Sequence, residues 1–171
     1  MLTAQRIRDL FTSLNEELGR RNVRGEAYLA GGAVMCLVFH ARQATKDIGA
    51  MLVPTAEMRA AAQAVAAREG LSSDWLNDAV KGFFSERGSF ELFEEFSHLR
   101  IYVPHPGYLL AMKCLALRLG EEFQDLSDVS VVIRELGLRT VAEAESVLCQ
   151  YYDLSRYPAK ARYLLEELLA A

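Results

Sequence analysis

The residues best placed to do chemistry begin with Asp47 in the run Ala44-Thr45-Lys46-Asp47-Ile48-Gly49, which follows the glycine pair Gly31-Gly32 after a short apolar stretch. In an extended segment successive side chains alternate, so Asp47, Gly49, Met51 and Val53 share one face. Two carboxylates at the positions of Asp47 and Gly49 would grip a divalent metal between them, and a Gly-Gly turn ahead of a helix would let backbone N–H groups approach a triphosphate. Only the first of those carboxylates is present. Read without a ligand, Gly31-Gly32 is a strand-to-helix turn that needs positive φ, and Asp47 is a surface acid at a strand end.

A second group lies in the C-terminal half. Lys113 stands with Leu109, Leu110 and Leu117 at helical offsets of three and four, which sets an ammonium on an apolar stripe. Asp125 aligns with Val129, Val132, Ile133 and Leu136, and Asp128 stands within one turn of it. A lone buried charge is costly, so these groups need partners. In one reading Lys113 or Arg118 pairs with Asp125 or Asp128 and pins two helices together. In the other, Lys113 reaches the phosphates of a ligand. The two are compatible.

The elements that must position these residues follow from periodicity and punctuation. Thr3 caps a helix over Thr3–Arg21 that carries Ile7, Leu10, Phe11, Leu14 and Leu18. A strand over Glu26–Ala30 stops at Gly31-Gly32, a buried helix covers Ala33–Ala41, and Lys46–Pro54 forms the next strand. Residues Thr55–Glu69 make a helix ended by Gly70. Trp75, Asn77 and Asp78 fall in one or two helical turns with a local cap. Two further strands, Ser89–Phe96 and His98–Pro104, are joined by a tight turn. From Pro106 on the chain is helical: one helix runs to near Gly120, another ends at Gly137, Thr140 and Glu143 form a capping box, and Pro158 opens the last helix. The expected fold is α+β, a small mixed sheet of about four strands flanked by helices (about 1–105), followed by a helical half (about 106–171), in one domain.

Composition bounds the rest. The 171 residues are 51% hydrophobic, enough for a sizeable core, and the net charge of −4 argues against a non-specific polyanion binder. Three widely spaced cysteines, Cys36, Cys114 and Cys149, read as free thiols in a reducing compartment. No apolar run reaches the roughly 18 residues of a membrane span and no secretory signal is present, so the expectation is a soluble cytoplasmic protein. His40, His98 and His105 show no metal-ligand spacing. Tyr151, Tyr152 and Tyr157 read as packing around the last helix. Arg42 and Lys46 read as a solvated loop that could meet phosphate.

The glycine pair followed by "TKDIG", where the pattern is T-x-D-x-D, resembles the nucleotidyltransferase superfamily that shares the DNA polymerase β core. The segments "WLNDAVKGFF", "LRIYVPHPGYLLAMKCLALR", "DLSDVSVVIRELGL" and "RYLLEEL" extend the resemblance over most of the chain, toward small bacterial nucleotidyltransferase-like proteins of toxin–antitoxin and abortive-infection systems. The resemblance implies Mg²⁺-dependent transfer of a nucleotide from an NTP to a hydroxyl of RNA, protein or a small molecule. It assigns Gly31, Gly32, Thr45 and Lys113 to the nucleotide, Asp47 and the position of Gly49 to the catalytic metal, and Asp125, Asp128 and Arg118 to support. A third acid is expected on the strand carrying Glu91, Glu94 and Glu95, with Glu91 and Glu95 as metal ligands. Because Gly49 replaces the second acid, the alternative is an inactive module that binds a nucleotide or a partner, such as the cognate toxin or antitoxin.

Overall fold

Thr3 Oγ1 accepts from the Arg6 amide at 3.1 Å, the N-cap that starts α1 (Ala4–Arg20) and leaves Leu2–Thr3 as a two-residue strand, β1. The stripe Ile7, Leu10, Phe11, Leu14 and Leu18 is fully buried. The computed structural model describes residues 1–120 and 123–169. The chain forms two compact units, Met1–Gly82 with Phe90–Val103, and Phe83–Ser89 with Pro104–Ala171. The division near Pro104 coincides with the expected change from sheet to helices, while the segment before the sixth strand belongs with the helices.

In the first unit α1 is followed by β2 (Gly25–Ala30), α2 (Gly32–Leu37), β3 (Ala44–Thr45), β4 (Ile48–Val53), α3 (Thr55–Glu69), β5 (Leu76–Asn77), β6 (Phe90–Glu95) and β7 (Leu99–Pro104). Five strands form one mixed sheet in the order β5-β4-β2-β7-β6, and β1 pairs with β3 in a separate ribbon. β2 runs antiparallel to β4 and parallel to β7. Ala27 and Leu29 of β2, and Ile48, Ala50 and Leu52 of β4, are buried on the face covered by α1 and α3. At Gly25 that covering is so close that a Cβ would stand 2.2 Å from Met58 Sδ. The alternate residues Glu26, Tyr28, Gly49 and Met51 are half-buried on the other face.

The expected helical turn around Trp75 is instead an anchored strand. Trp75 Nε1 donates to the Ala62 carbonyl at 2.9 Å, the Trp75 carbonyl accepts from Ile48 N at 2.7 Å, and Leu76–Asn77 adds β5 to the edge of β4. A 3-10 turn, Ala79–Phe83, follows. β4 begins at Ile48 rather than Lys46, so Asp47 immediately precedes the strand.

The second unit holds α4 (Pro106–Leu115), α5 (Asp125–Leu136), α6 (Val141–Leu148) and α7 (Ala159–Leu169). The capping box forms, with Glu143 N donating to Thr140 Oγ1 at 3.1 Å and Glu143 Oε2 accepting from Arg139 N at 2.8 Å. Helix α4 ends well short of Gly120, because the Arg118 amide donates to the Asp125 carboxylate at 2.9 Å rather than to a helical carbonyl. His105 caps α4 through Nδ1, which accepts from Gly107 N at 3.1 Å. Tyr108 and Tyr151 stack with centroids 5.0 Å apart, Tyr157 donates to the Leu148 carbonyl at 2.8 Å, and Tyr152 donates to the Phe83 carbonyl. The tyrosines are packing, as their sequence context implies. Of the cysteines, Cys36 and Cys114 are buried and Cys149 is exposed; burial pushes the Cys114 thiol up to about 12. The last two residues of the expected final helix, 170 and 171, lie outside the described residues. Among the described residues no helix is long and apolar enough to cross a membrane.

Candidate functional site

The antiparallel register pairs Ala30 with Gly49, which brings the end of β2 to the level of Asp47. Gly31 then takes φ 72° and ψ −144°, a conformation open to glycine and hostile to other residues, and nothing lies within 4 Å of where its Cβ would be. Gly32 opens α2, and a Cβ there would come within 2.5 Å of both Thr45 Oγ1 and Arg42 Nη1. The pair therefore has two separate physical reasons: one residue turns the chain, and the other admits a hydroxyl and a guanidinium against the backbone.

Thr45 is buried, and its Oγ1 donates to the Asp47 carbonyl at 3.3 Å. Asp47 is exposed, with Oδ2 accepting from Asn77 Nδ2 at 3.2 Å. Asn77 is itself fixed: Nδ2 also donates to the Asp74 carbonyl at 3.0 Å, and Oδ1 accepts from Ala79 N at 3.1 Å. Because β5 runs parallel to β4 with Asn77 opposite Gly49, the amide reaches Asp47 across the strand end. Sequence reasoning missed Asn77, for a two-residue strand leaves no periodicity that would place it beside Asp47.

The position of the absent carboxylate is occupied. A Cβ at Gly49 would stand 2.9 Å from Val80 Cγ1 and 3.4 Å from Val80 Cγ2, both on the 3-10 turn after β5. The isopropyl group covers the ground from which a second acid would extend. The expected third acid does not join Asp47 either. Glu91 and Glu95 lie on β6, separated from β4 by β2 and β7, hence about 14 Å away at ordinary strand spacing. Glu95 is paired with Arg100 at 3.1 Å.

Among the described residues no group of three or more His, Cys, Asp or Glu side chains could hold a metal ion. Asp47 alone, with one oxygen hydrogen-bonded to Asn77, is a poor match for Mg²⁺, which demands near-octahedral oxygen ligands and is held by carboxylates together with substrate phosphates. The residues present do not fit a two-carboxylate Mg²⁺ centre.

In the helical unit Lys113 is buried at 7% exposure, and its Nζ donates to Asp128 Oδ2 at 2.6 Å and Asp125 Oδ1 at 3.3 Å. Arg118 adds Nε to Asp125 Oδ2 at 3.1 Å and Nη2 to Asp125 Oδ1 at 3.3 Å. Burial alone would raise the Asp125 carboxyl, but the Arg118 hydrogen bonds and the Lys113 charge outweigh it and hold the group below the usual carboxylate range. The pairing expected as one of two roles for Lys113 is thus formed, with two cations set against two carboxylates.

A groove of about 340 Å³ lies at the opposite end of the sheet from the glycine turn, lined by Arg24, Glu26, Pro54, Glu95, His98 and Arg100 among others. It is separate from Asp47, which stands by the last residues of β2 rather than the first. No protein-family model, no curated protein and no solved structure matches the chain.

Proposed function

We propose that the chain is a nucleotidyltransferase-like binding module that accepts a nucleoside triphosphate at the Gly31-Gly32 turn and does not carry out metal-dependent transfer. The observation that carries this reading is the packing of Val80 over Gly49, with Cγ1 2.9 Å from the Cβ position. A site awaiting a second carboxylate would leave that ground to solvent or metal. Support for a retained nucleotide site comes from the positive-φ Gly31, with open space beside it, and from Arg42 and Thr45 drawn against Gly32. A guanidinium beside a glycine turn suits phosphate oxygens, while the Thr45 hydroxyl, whose proton goes to the Asp47 carbonyl, fixes the wall of the turn.

One observation favours the enzymatic alternative, transfer to an RNA, protein or small-molecule hydroxyl. Asp47 is exposed and its carboxylate is oriented by Asn77, as a metal ligand held from behind would be. On either reading a cognate toxin or antitoxin protein is the partner that the sequence resemblance suggests.

Titration with each NTP, with and without Mg²⁺, separates the readings when affinity and pyrophosphate release are followed together. Saturable binding with no release is expected, and affinity should fall in Arg42→Ala. Release of pyrophosphate by the unaltered chain would establish the enzyme, and an absence of binding to any NTP would overturn both.

A further inference from the structure

The sheet ends on a six-residue edge strand, paired on one side. β6 is the terminal strand in the order β5-β4-β2-β7-β6, and no other strand among the described residues pairs with its outer edge. Its sequence is Phe90-Glu91-Leu92-Phe93-Glu94-Glu95. Leu92 is 51% exposed, and Glu91 is exposed. The strand is ordered from both sides of the sheet: Phe90 meets Tyr28 edge to face at 5.1 Å, and Phe93 lies 5.9 Å from the Arg8 guanidinium of α1. A fixed strand with one free backbone edge offers a row of N–H and C=O groups to another chain.

Charge decides which chain fits. Glu95 is paired with Arg100 across the hairpin at 3.1 Å, whereas no ion pair found among the described residues involves Glu91 or Glu94. A second copy is a poor occupant, because antiparallel pairing centred on Leu92 and Phe93 would set Glu91 of each copy opposite Glu94 of the other. Like charges directly opposite destabilise a strand pair, and opposite charges stabilise it. We propose that the β6 edge is a docking strand for an extended, basic segment of another protein, which adds to the sheet by backbone hydrogen bonds and sets Lys or Arg against Glu91 and Glu94 with an apolar side chain on Leu92. The same glutamates that prevent edge-to-edge self-association make the edge selective for the opposite charge. The proposal is independent of the nucleotide reading and uses no residue of the Asp47 site.

The test titrates the full chain into three fluorescein-labelled peptides of equal length: one repeating Lys-Val-Val, which sets Lys against Glu91 and Glu94 and Val against Leu92, the same peptide with alternate backbone amides N-methylated, and one repeating Glu-Val-Val. Anisotropy should report saturable binding of the first peptide alone, weakened about tenfold in Glu91→Lys/Glu94→Lys. Should that variant fail to fold, as judged by circular dichroism, Glu91→Gln/Glu94→Gln should weaken binding in the same direction. Equal binding of the N-methylated peptide would reduce the interaction to charge and overturn strand addition. So would affinity unchanged in the variants, or a chain that sediments as a dimer and takes up no peptide. No nucleotide enters the assay, so these results do not bear on the Gly49 reading.

Discussion

Two carboxylates in this chain, Asp125 and Asp47, stand in opposite conditions. Asp125 is 2% exposed and takes four donors, one from Lys113 and three from Arg118, which fills the four lone-pair positions of a carboxylate. Asp47 is exposed and, among the described residues, its carboxylate accepts a single side-chain hydrogen bond, from Asn77. The first is a finished structural charge cluster; the second has capacity left for a ligand. An acidic residue therefore cannot be assigned to a metal by its place in a motif alone. What matters is how many donors the chain itself already supplies, and whether a second acid stands close enough to share the ion.

The largest expected effect tests the finished cluster. Lys113→Met removes the ammonium from two buried carboxylates and should lower unfolding free energy by about 3–5 kcal/mol, read from urea denaturation. Replacing Asp128 by Leu in the same chain should recover much of the loss, since paired charges can be exchanged for apolar groups at little cost. If Lys113→Met kept full stability and instead lost nucleotide affinity, the contrast between the two carboxylates would collapse and Lys113 would be a phosphate contact.

A smaller effect asks whether saturation is peculiar to the helical unit. In the sheet-containing unit Glu17 accepts from Arg68 at 2.9 Å and from Arg21 at 2.9 Å, with Arg20 at 3.3 Å. The Arg68 hydrogen bond, followed by that of Arg21, holds the carboxyl at about 2 against an ordinary 4.5. The folded chain binds this proton less readily than the unfolded chain, so the stabilisation is complete above about pH 4.5 and is lost as pH falls toward 2. The arginines are 40–55% exposed, and screening reduces the contribution to about 2 kcal/mol. Glu17→Gln should flatten that limb of the acid unfolding curve. An unchanged pH dependence would mean that exposed arginines cannot saturate a carboxylate in the way Lys113 and Arg118 do.

Much of the fold was legible because its signals are local and repeated. The α1 stripe, the Gly70 stop, the Thr140–Glu143 capping box and the alternation in β4 each rest on several residues that agree. β1, β3 and β5 were not legible, because two-residue strands have no period and owe their existence to partners distant in sequence. The same limit governs the site. Gly31-Gly32 and Asp47 could be aligned from one strand register, but Val80 and Asn77 arrive beside them only through β5. Glu91 and Glu95 show the converse failure: alternation gives the face of a strand and nothing about strand order, and strand order sets them three strands from β4.

The smallest expected effect is at Gly49 itself. Gly49→Asp must displace Val80, whose Cγ1 stands 2.9 Å from the new Cβ, but Val80 is only half-buried and sits on a short turn that can yield. The cost should be about 1 kcal/mol, at the low end for overpacking, and Val80→Ala in the same chain should relieve it. The informative measurement is thermal unfolding of Gly49→Asp/Val80→Ala with and without Mg²⁺ and NTP. With the glutamates of β6 about 14 Å away, two carboxylates have no third among the described residues to complete the clamp, and the expected result is the same NTP-dependent stabilisation in both chains with no added increment from Mg²⁺ in the variant. A Mg²⁺ increment confined to the variant would show that the remainder of a metal site survives around Asp47. Gly49 would then be the lesion that separates this chain from a working transferase, and the contrast between a filled carboxylate and an open one would become a contrast between a structural cluster and a metal centre lacking one ligand.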